Sequence, residues 1–185
     1  MKRTMTIIQL IFLVSGLNAQ VYNTAETLNK GKFSAIGAPV FYDSGIMLLG
    51  KLGYGLDYGN DIALTMGFGN KSYLGTDMEK VLNWGNFDNL YMSFSSGVHY
   101  CDGFGIDGTI NFTVLFDNSL ELYSGLDLDW MLTENTGLPT WIFIGCEYNL
   151  KNQLAFFCEI DLGINDSDNM IGAGICYYFN SVQIK

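Results

Sequence analysis

An all-β protein, folded as a closed antiparallel up-and-down transmembrane β-barrel of about ten strands with eight as the lower count, is what this sequence predicts. Three observations predict it. Apolar and polar residues alternate with period two through most of the chain. Turn-forming clusters separate the alternating runs at regular spacing. Most runs reach ten residues or more, longer than the roughly five or six usual in soluble sheets and suited to a tilted membrane strand.

The alternation is clearest in Phe104 to Phe116, where the even positions Phe104, Ile106, Ile110, Phe112, Val114 and Phe116 are apolar. Asp107, Thr109, Asn111 and Thr113 stand on the other face. The next run sets Leu120, Leu122, Leu126, Leu128 and Trp130 against Glu121, Tyr123, Asp127 and Asp129. Leu154, Phe156, Cys158, Ile160 and Leu162 alternate with Ala155, Phe157, Glu159 and Asp161 in the same way. The predicted strands are 33–42, 45–57, 60–69, 72–80, 90–101, 104–116, 119–130, 139–150, 153–163 and 169–179. Pro39 falls inside the first, where it has no amide to give a neighbour, so a bulge or a shorter strand is expected there.

Register constrains the loops. Leu120 must share the face of Phe116, so 117–119 should hold an odd number of residues. The same logic makes 101–103 and 151–153 three-residue loops, with Gly103 in the left-handed position of a bulged hairpin.

Ahead of the first strand lies a different kind of segment. Lys2 and Arg3 precede a short apolar run, Ile7 to Leu17, and Asn18-Ala19-Gln20 follows. This is the pattern of a signal peptide, 1–19, cleaved after Ala19, which leaves 20–185 as one barrel domain. The chain carries a formal charge of −10. Cleavage removes the sole Arg and one Lys, so the mature chain keeps seven lysines against 19 acidic residues, a charge of −12. Such acidity excludes nucleic acid as a partner. A composition 49% hydrophobic and 15% aromatic also excludes a disordered acidic tail.

Alternation alone fits a soluble barrel as well as a membrane one. A soluble barrel, for instance a secreted lipid-binding one, turns its apolar face inward, and a small one cannot enclose roughly forty large side chains. The polar face is rich in Gly, Ser, Thr, Asn and acids but nearly lacks Lys, whereas soluble surfaces mix both signs. Aromatics stand near run ends (Tyr42, Trp84, Tyr91, Tyr100, Phe104, Phe116, Trp130, Trp141, Tyr177 and Phe179), as interfacial girdles require. These features invert the barrel, with its apolar face toward lipid.

Gly-aromatic strands such as Leu52-Gly-Tyr-Gly-Leu56 and Met66-Gly-Phe-Gly69, and a final strand ending Ile175-Cys-Tyr-Tyr-Phe179, resemble the small outer-membrane β-barrel proteins of Gram-negative bacteria. The resemblance covers the whole mature chain, although Asn180 to Lys185 overhang the terminal aromatic on which such barrels usually finish. It implies residence in the outer membrane, contact with its lipid, insertion by the barrel-assembly machinery, a monomer, and a structural or porin-like role.

Candidate site residues follow from the inner face. Asp61, Asp77, Glu79, Asp107, Glu121, Asp127, Asp129, Glu147, Glu159 and Asp161 should crowd the lumen, with Lys51 and His99 as its bases. Buried carboxylates must be hydrated, protonated or cation-bound, so the lumen is either a cation-favouring passage or a hydrogen-bonded network that fills the barrel. No metal site or cofactor is expected. His99 shares a face with Ser93 and Ser95, which raises a lipid-modifying hydrolase, but no nucleophile motif surrounds either serine and a structural histidine is the plainer reading. Cys101, Cys146, Cys158 and Cys176 lack metal-ligand spacing. Cys146 and Cys158 should face each other toward lipid, as four unpaired thiols or as one candidate disulfide. The glycine pairs at 53 and 55, 67 and 69, and 103 and 105 precede no helix and read as strand bends rather than phosphate loops.

Overall fold

The computed structural model describes residues 22, 24–82, 89–101, 103–116, 119–132, 137–151, 153–165 and 167–179. The leader, Trp84 and the overhang after Phe179 lie outside them. The described chain is all-β, with ten antiparallel strands in a closed ring. They are β1 (Phe33–Tyr42), β2 (Gly45–Gly55), β3 (Asn60–Gly69), β4 (Tyr73–Leu82), β5 (Leu90–Tyr100), β6 (Phe104–Leu115), β7 (Leu120–Met131), β8 (Thr140–Lys151), β9 (Leu154–Asn165) and β10 (Met170–Phe179). Each pairs with its chain neighbours, and β1 pairs with β10 to close the ring. The count is therefore ten rather than eight. Both ends of the strand ring lie together, since Phe33 pairs with Phe179. The end that carries them, with the β2–β3, β4–β5, β6–β7 and β8–β9 turns, is here called the terminal end, and the other the far end.

The two faces are inverted relative to a soluble barrel. Large apolar side chains project outward from every strand, among them Leu48, Leu64, Leu74, Phe94, Ile110, Leu128, Ile144, Ile160 and Ile175. Glu79, Ser93, Ser95, Asp107, Thr109, Asn111, Asp127, Asp129, Glu159 and Asp161 are all buried inside. In water such a surface would be a large exposed apolar patch, which soluble monomers avoid; in lipid it is the expected one. Tyr100, Phe104 and Trp130 ring the far end outside, and Phe33, Phe116, Tyr148, Tyr177 and Phe179 ring the terminal end.

Three local expectations are corrected. Pro39 introduces no bulge: the β1–β10 register runs unshifted from Gly37↔Ile175 to Val40↔Gly172, and only the two pairs between are missing. The conformation of Gly103 turns on Asp102, which lies outside the described residues; the positive φ values in the described hairpins are at Tyr58 (62°) and Gly59 (68°), in the β2–β3 turn. That pair of positive φ values is what a primed hairpin turn requires. The β8–β9 turn is shorter than three residues, because Lys151 pairs with Leu154 and an irregularity between Asn149 and Lys151 absorbs the extra residue. The bulge preserves parity, so Cys146 still pairs with Cys158. Finally, Trp141, Tyr42 and Tyr91 leave the girdle. Trp141 is fully buried inside, its Nε1–H donating to Asp168 O at 2.9 Å, and Tyr42 and Tyr91 lie on inward positions. The 101–103 loop has three residues as expected, since Tyr100 pairs with Phe104.

Candidate functional site: the barrel interior

The interior is divided. The inward positions of β3 to β7 are mostly polar or glycine, and they form a hydrogen-bonded belt. Ser93 Oγ donates to Glu79 Oε1, and Asn111 Nδ2 donates to the same oxygen at 3.1 Å and to Ser93 at 3.2 Å. Thr109 Oγ1 donates to Asp127 Oδ1 at 2.5 Å. His99 sits between two carboxylates, with Nδ1 3.1 Å from Asp107 Oδ2 and Nε2 3.2 Å from Asp129 Oδ2, the geometry of an imidazolium shared by a pair of acids. Tyr73 stacks on its ring at 5.6 Å. Its ring nitrogens face Asp107 and Asp129, Ser93 bonds Glu79 instead, and the ring is buried away from the lipid-facing surface.

The other sector, β8 to β10 with β1 and β2, is largely apolar inside. Val40, Met47, Leu49, Trp141, Phe157, Met170 and Cys176 pack into one cluster with Tyr22. Much of it lies toward the far end, where Val40, Met47, Trp141 and Met170 fill the lumen. The sequence signal for this cluster was ambiguous, because Ile46 to Leu49 is apolar on both faces. Three acids break this sector: Glu147, which accepts from Tyr178 Oη at 2.6 Å, and the neighbouring Glu159 and Asp161. Glu121 of β7 faces them across the ladder, paired with Glu147 and accepting from Asn149 Nδ2 at 3.3 Å.

Into this space runs a segment that alternation could not reveal. Tyr22 and residues 24–32, here called the strap, enter at the terminal end, where residues 29–31 are exposed, and from Leu28 back to Tyr22 the strap lies inside the ring. The Leu28 amide donates to Asp61 Oδ2 at 3.0 Å, the Ala25 amide to Thr113 Oγ1 at 2.7 Å, and the Tyr22 amide to Glu159 Oε1 at 3.0 Å. The Tyr22 ring packs against Phe157, centroids 4.1 Å apart and planes tilted by 59°, and its carbonyl accepts from Lys51 Nζ at 3.5 Å. Lys51 also lies 3.9 Å from Asp77. Glycines make the room: a Cβ on Gly55 would strike the Asn29 and Leu28 carbonyls, and one on Gly172 would strike the Tyr22 hydroxyl. Beside the strap a cavity of about 60 Å³ remains, lined by Glu26, Lys51, Asp61, Glu79, Glu147 and Tyr178 among others. That is room for a few water molecules.

On the outer face, Cys146 and Cys158 stand opposite each other with Sγ atoms 3.3 Å apart, both free thiols in this structure. Cys101 and Cys176 are buried inside, in no disulfide. No group of metal-ligating side chains forms a metal site among the described residues.

A closed antiparallel ring of even strand number, apolar outside and polar within, is the architecture of a small outer-membrane β-barrel. Solved structures agree on the fold. A KdgM porin superposes with a TM-score of 0.57 at 10% identity, covering 80% of this chain and 99% of that one. A NanC porin superposes with a TM-score of 0.58 at 9% identity, covering 78% and 98%. A KdgM porin in complex with disordered oligogalacturonate gives 0.52 at 8% identity, covering 80% and 99%. No protein-family model and no curated sequence matches the chain.

Proposed function

We propose that the chain is an exported, monomeric barrel of the Gram-negative outer membrane, freed of its leader after Ala19, with a structural role and a lumen closed to solutes. The observation that carries this reading is the filled interior. Among the described residues the strap, the acid belt and the apolar cluster occupy the interior, and the cavity beside the strap holds about 60 Å³, far below what even a small solute needs. Its partners are then outer-membrane lipid on the outer face and the barrel-assembly machinery during insertion. The non-enzymatic reading is supported by the His99 geometry, in which each ring nitrogen faces a carboxylate.

A second reading, a narrow cation-favouring channel, draws support from the acids that line the remaining space. Planar-bilayer recording separates the two. The structural reading expects no unitary conductance from the intact chain, and a stable conductance with a cation-selective reversal potential would overturn it in favour of the channel. Membrane residence is tested apart from this, by cysteine labelling at Ile110→Cys and Asn111→Cys. A lipid-embedded quencher should reach position 110 and not 111; equal access of a water-soluble reagent to position 110 would sink the membrane reading.

A further inference from the structure

We infer that Cys146 and Cys158 are an oxidation site on the outer face of the barrel, joined as a disulfide in the periplasm before the β8–β9 hairpin enters lipid and sealed there afterwards. The inference rests on the export and membrane readings above, since export supplies the oxidising space and lipid supplies the seal.

Three observations carry it. The two residues stand directly opposite each other in the β8–β9 ladder. Residues so opposed have Cα atoms about 4.5 or 5.5 Å apart, inside the roughly 4.4–6.8 Å that a disulfide accepts. The irregularity between Asn149 and Lys151 brings them there; continued without it, the Lys151–Leu154 pairing would set Glu159 opposite Cys146. Second, the thiols already touch, Sγ to Sγ at 3.3 Å. A small rotation of each side chain converts that contact into a bond of about 2.0 Å. Third, the other two cysteines, Cys101 and Cys176, are buried on the inner side of the wall, away from this pair.

The oxidant is a thiol oxidoreductase in its disulfide form. One cysteine thiolate of the hairpin, still in water, attacks that disulfide, releases one oxidant thiolate and leaves a mixed disulfide. The second cysteine thiolate attacks the sulfur of the first and expels the other oxidant thiolate. One S–S bond forms in the chain and one breaks in the oxidant; two electrons pass to the oxidant, and two protons end on its thiols. Insertion stops the exchange. On the outer face the pair is flanked by the exposed Ile144, Tyr148, Phe156 and Ile160 along the strands, and by Leu122 and Ala173 across the ladders. Exchange runs through charged sulfur and a water-borne partner, neither of which hydrocarbon admits. The bond closes residues 146–158 into a ring. It thereby holds the hairpin against a one-residue slip, which would turn its apolar face to the lumen.

The test uses the full processed chain, isolated from outer membranes with N-ethylmaleimide present throughout and then unfolded in the same reagent without reductant. Intact mass should show two adducts, and peptide mapping should place them on Cys101 and Cys176 and find Cys146 joined to Cys158. Four adducts, or a bond to either inner cysteine, overturns the inference. A retained leader overturns this inference and export together, whereas four adducts on a chain that has lost its leader overturn this inference alone. The seal is read on barrels in lipid vesicles, where a water-soluble phosphine should reduce the bond about tenfold or more slowly than in the unfolded chain. Equal rates, with position 110 still reached by the lipid quencher, overturn the seal and leave membrane residence standing. Lastly, Cys146→Ala, Cys158→Ala and the double substitution should speed unfolding from vesicles by one common factor of about tenfold, because either change removes the whole bond. Factors that multiply, or rates unaltered by all three, overturn its role in holding the hairpin.

Discussion

The two halves of the barrel interior solve the same packing problem with opposite chemistry. Between β3 and β7 the ring is filled by side chains that bond one another: Glu79 with Ser93 and Asn111, Thr109 with Asp127, His99 between Asp107 and Asp129. Between β8 and β2 it is filled by Trp141, Phe157, Val40, Met47, Leu49 and Met170. The first half derives its order from direction, since each donor must meet an acceptor. The second derives it from volume alone. Outside, the two halves are indistinguishable, because both present a continuous apolar surface. Lipid dictates the outer face, and only the inner face is free to differ.

Substitutions should therefore fail differently in the two halves. The largest effect belongs to His99→Leu, which leaves Asp107 and Asp129 buried and facing each other without their cation. We expect a loss of about 3–5 kcal/mol in urea unfolding from lipid vesicles, and a neutral result would show the belt to be hydrated rather than ion-paired. In the apolar half Trp141→Ala should cost about 3 kcal/mol by the cavity it leaves and the loss of its bond to Asp168. Because that cost is volumetric, a filling Trp141→Phe should recover most of it; failure to recover would place the indole N–H above the packing.

The smallest effect is at the strap, which lies between the halves. Burial holds the Glu26 carboxyl above its ordinary range, with Glu121 and Glu147 as nearby acids. A carboxyl whose folded-state pKa is raised contributes its stability at low pH and loses it as pH rises through that raised value. Hydrogen exchange at the Ala25 and Leu28 amides should accordingly speed up toward neutral pH beyond the intrinsic rate. Glu26→Gln should flatten that dependence. A pH-independent strap in the unaltered chain would contradict this.

Much of this was legible in the sequence, for a physical reason. A strand that separates lipid from a polar lumen must alternate, so Phe104 to Phe116 and Leu120 to Trp130 announce both their length and their faces. Parity fixed the 101–103 turn and the Cys146–Cys158 pairing without reference to contacts. The apolar half of the interior was illegible because Ile46 to Leu49 and Ile142 to Phe143 are apolar on both faces, and alternation carries no information there. Trp141 was assigned to the girdle for the same reason, since a tryptophan near a strand end suits an interface as well as a core. The strap left no periodic trace at all. Its conformation is set by amide bonds to Asp61, Thr113 and Glu159, partners 33, 88 and 137 residues away.

Pro39 has one more consequence, for the order of events rather than for the finished ring. The β1–β10 contact joins the two ends of the barrel's strand sequence, so closing it carries the longest loop and should come last in folding. It is also the one ladder with two consecutive pairs missing in its middle, opposite Ala38 and Pro39. The latest contact to form is thus interrupted midway, and the ring has a defined line along which it would first part. Unfolding from the membrane should begin as a slit between β1 and β10, and residues on either side of Pro39 would be the first to report it.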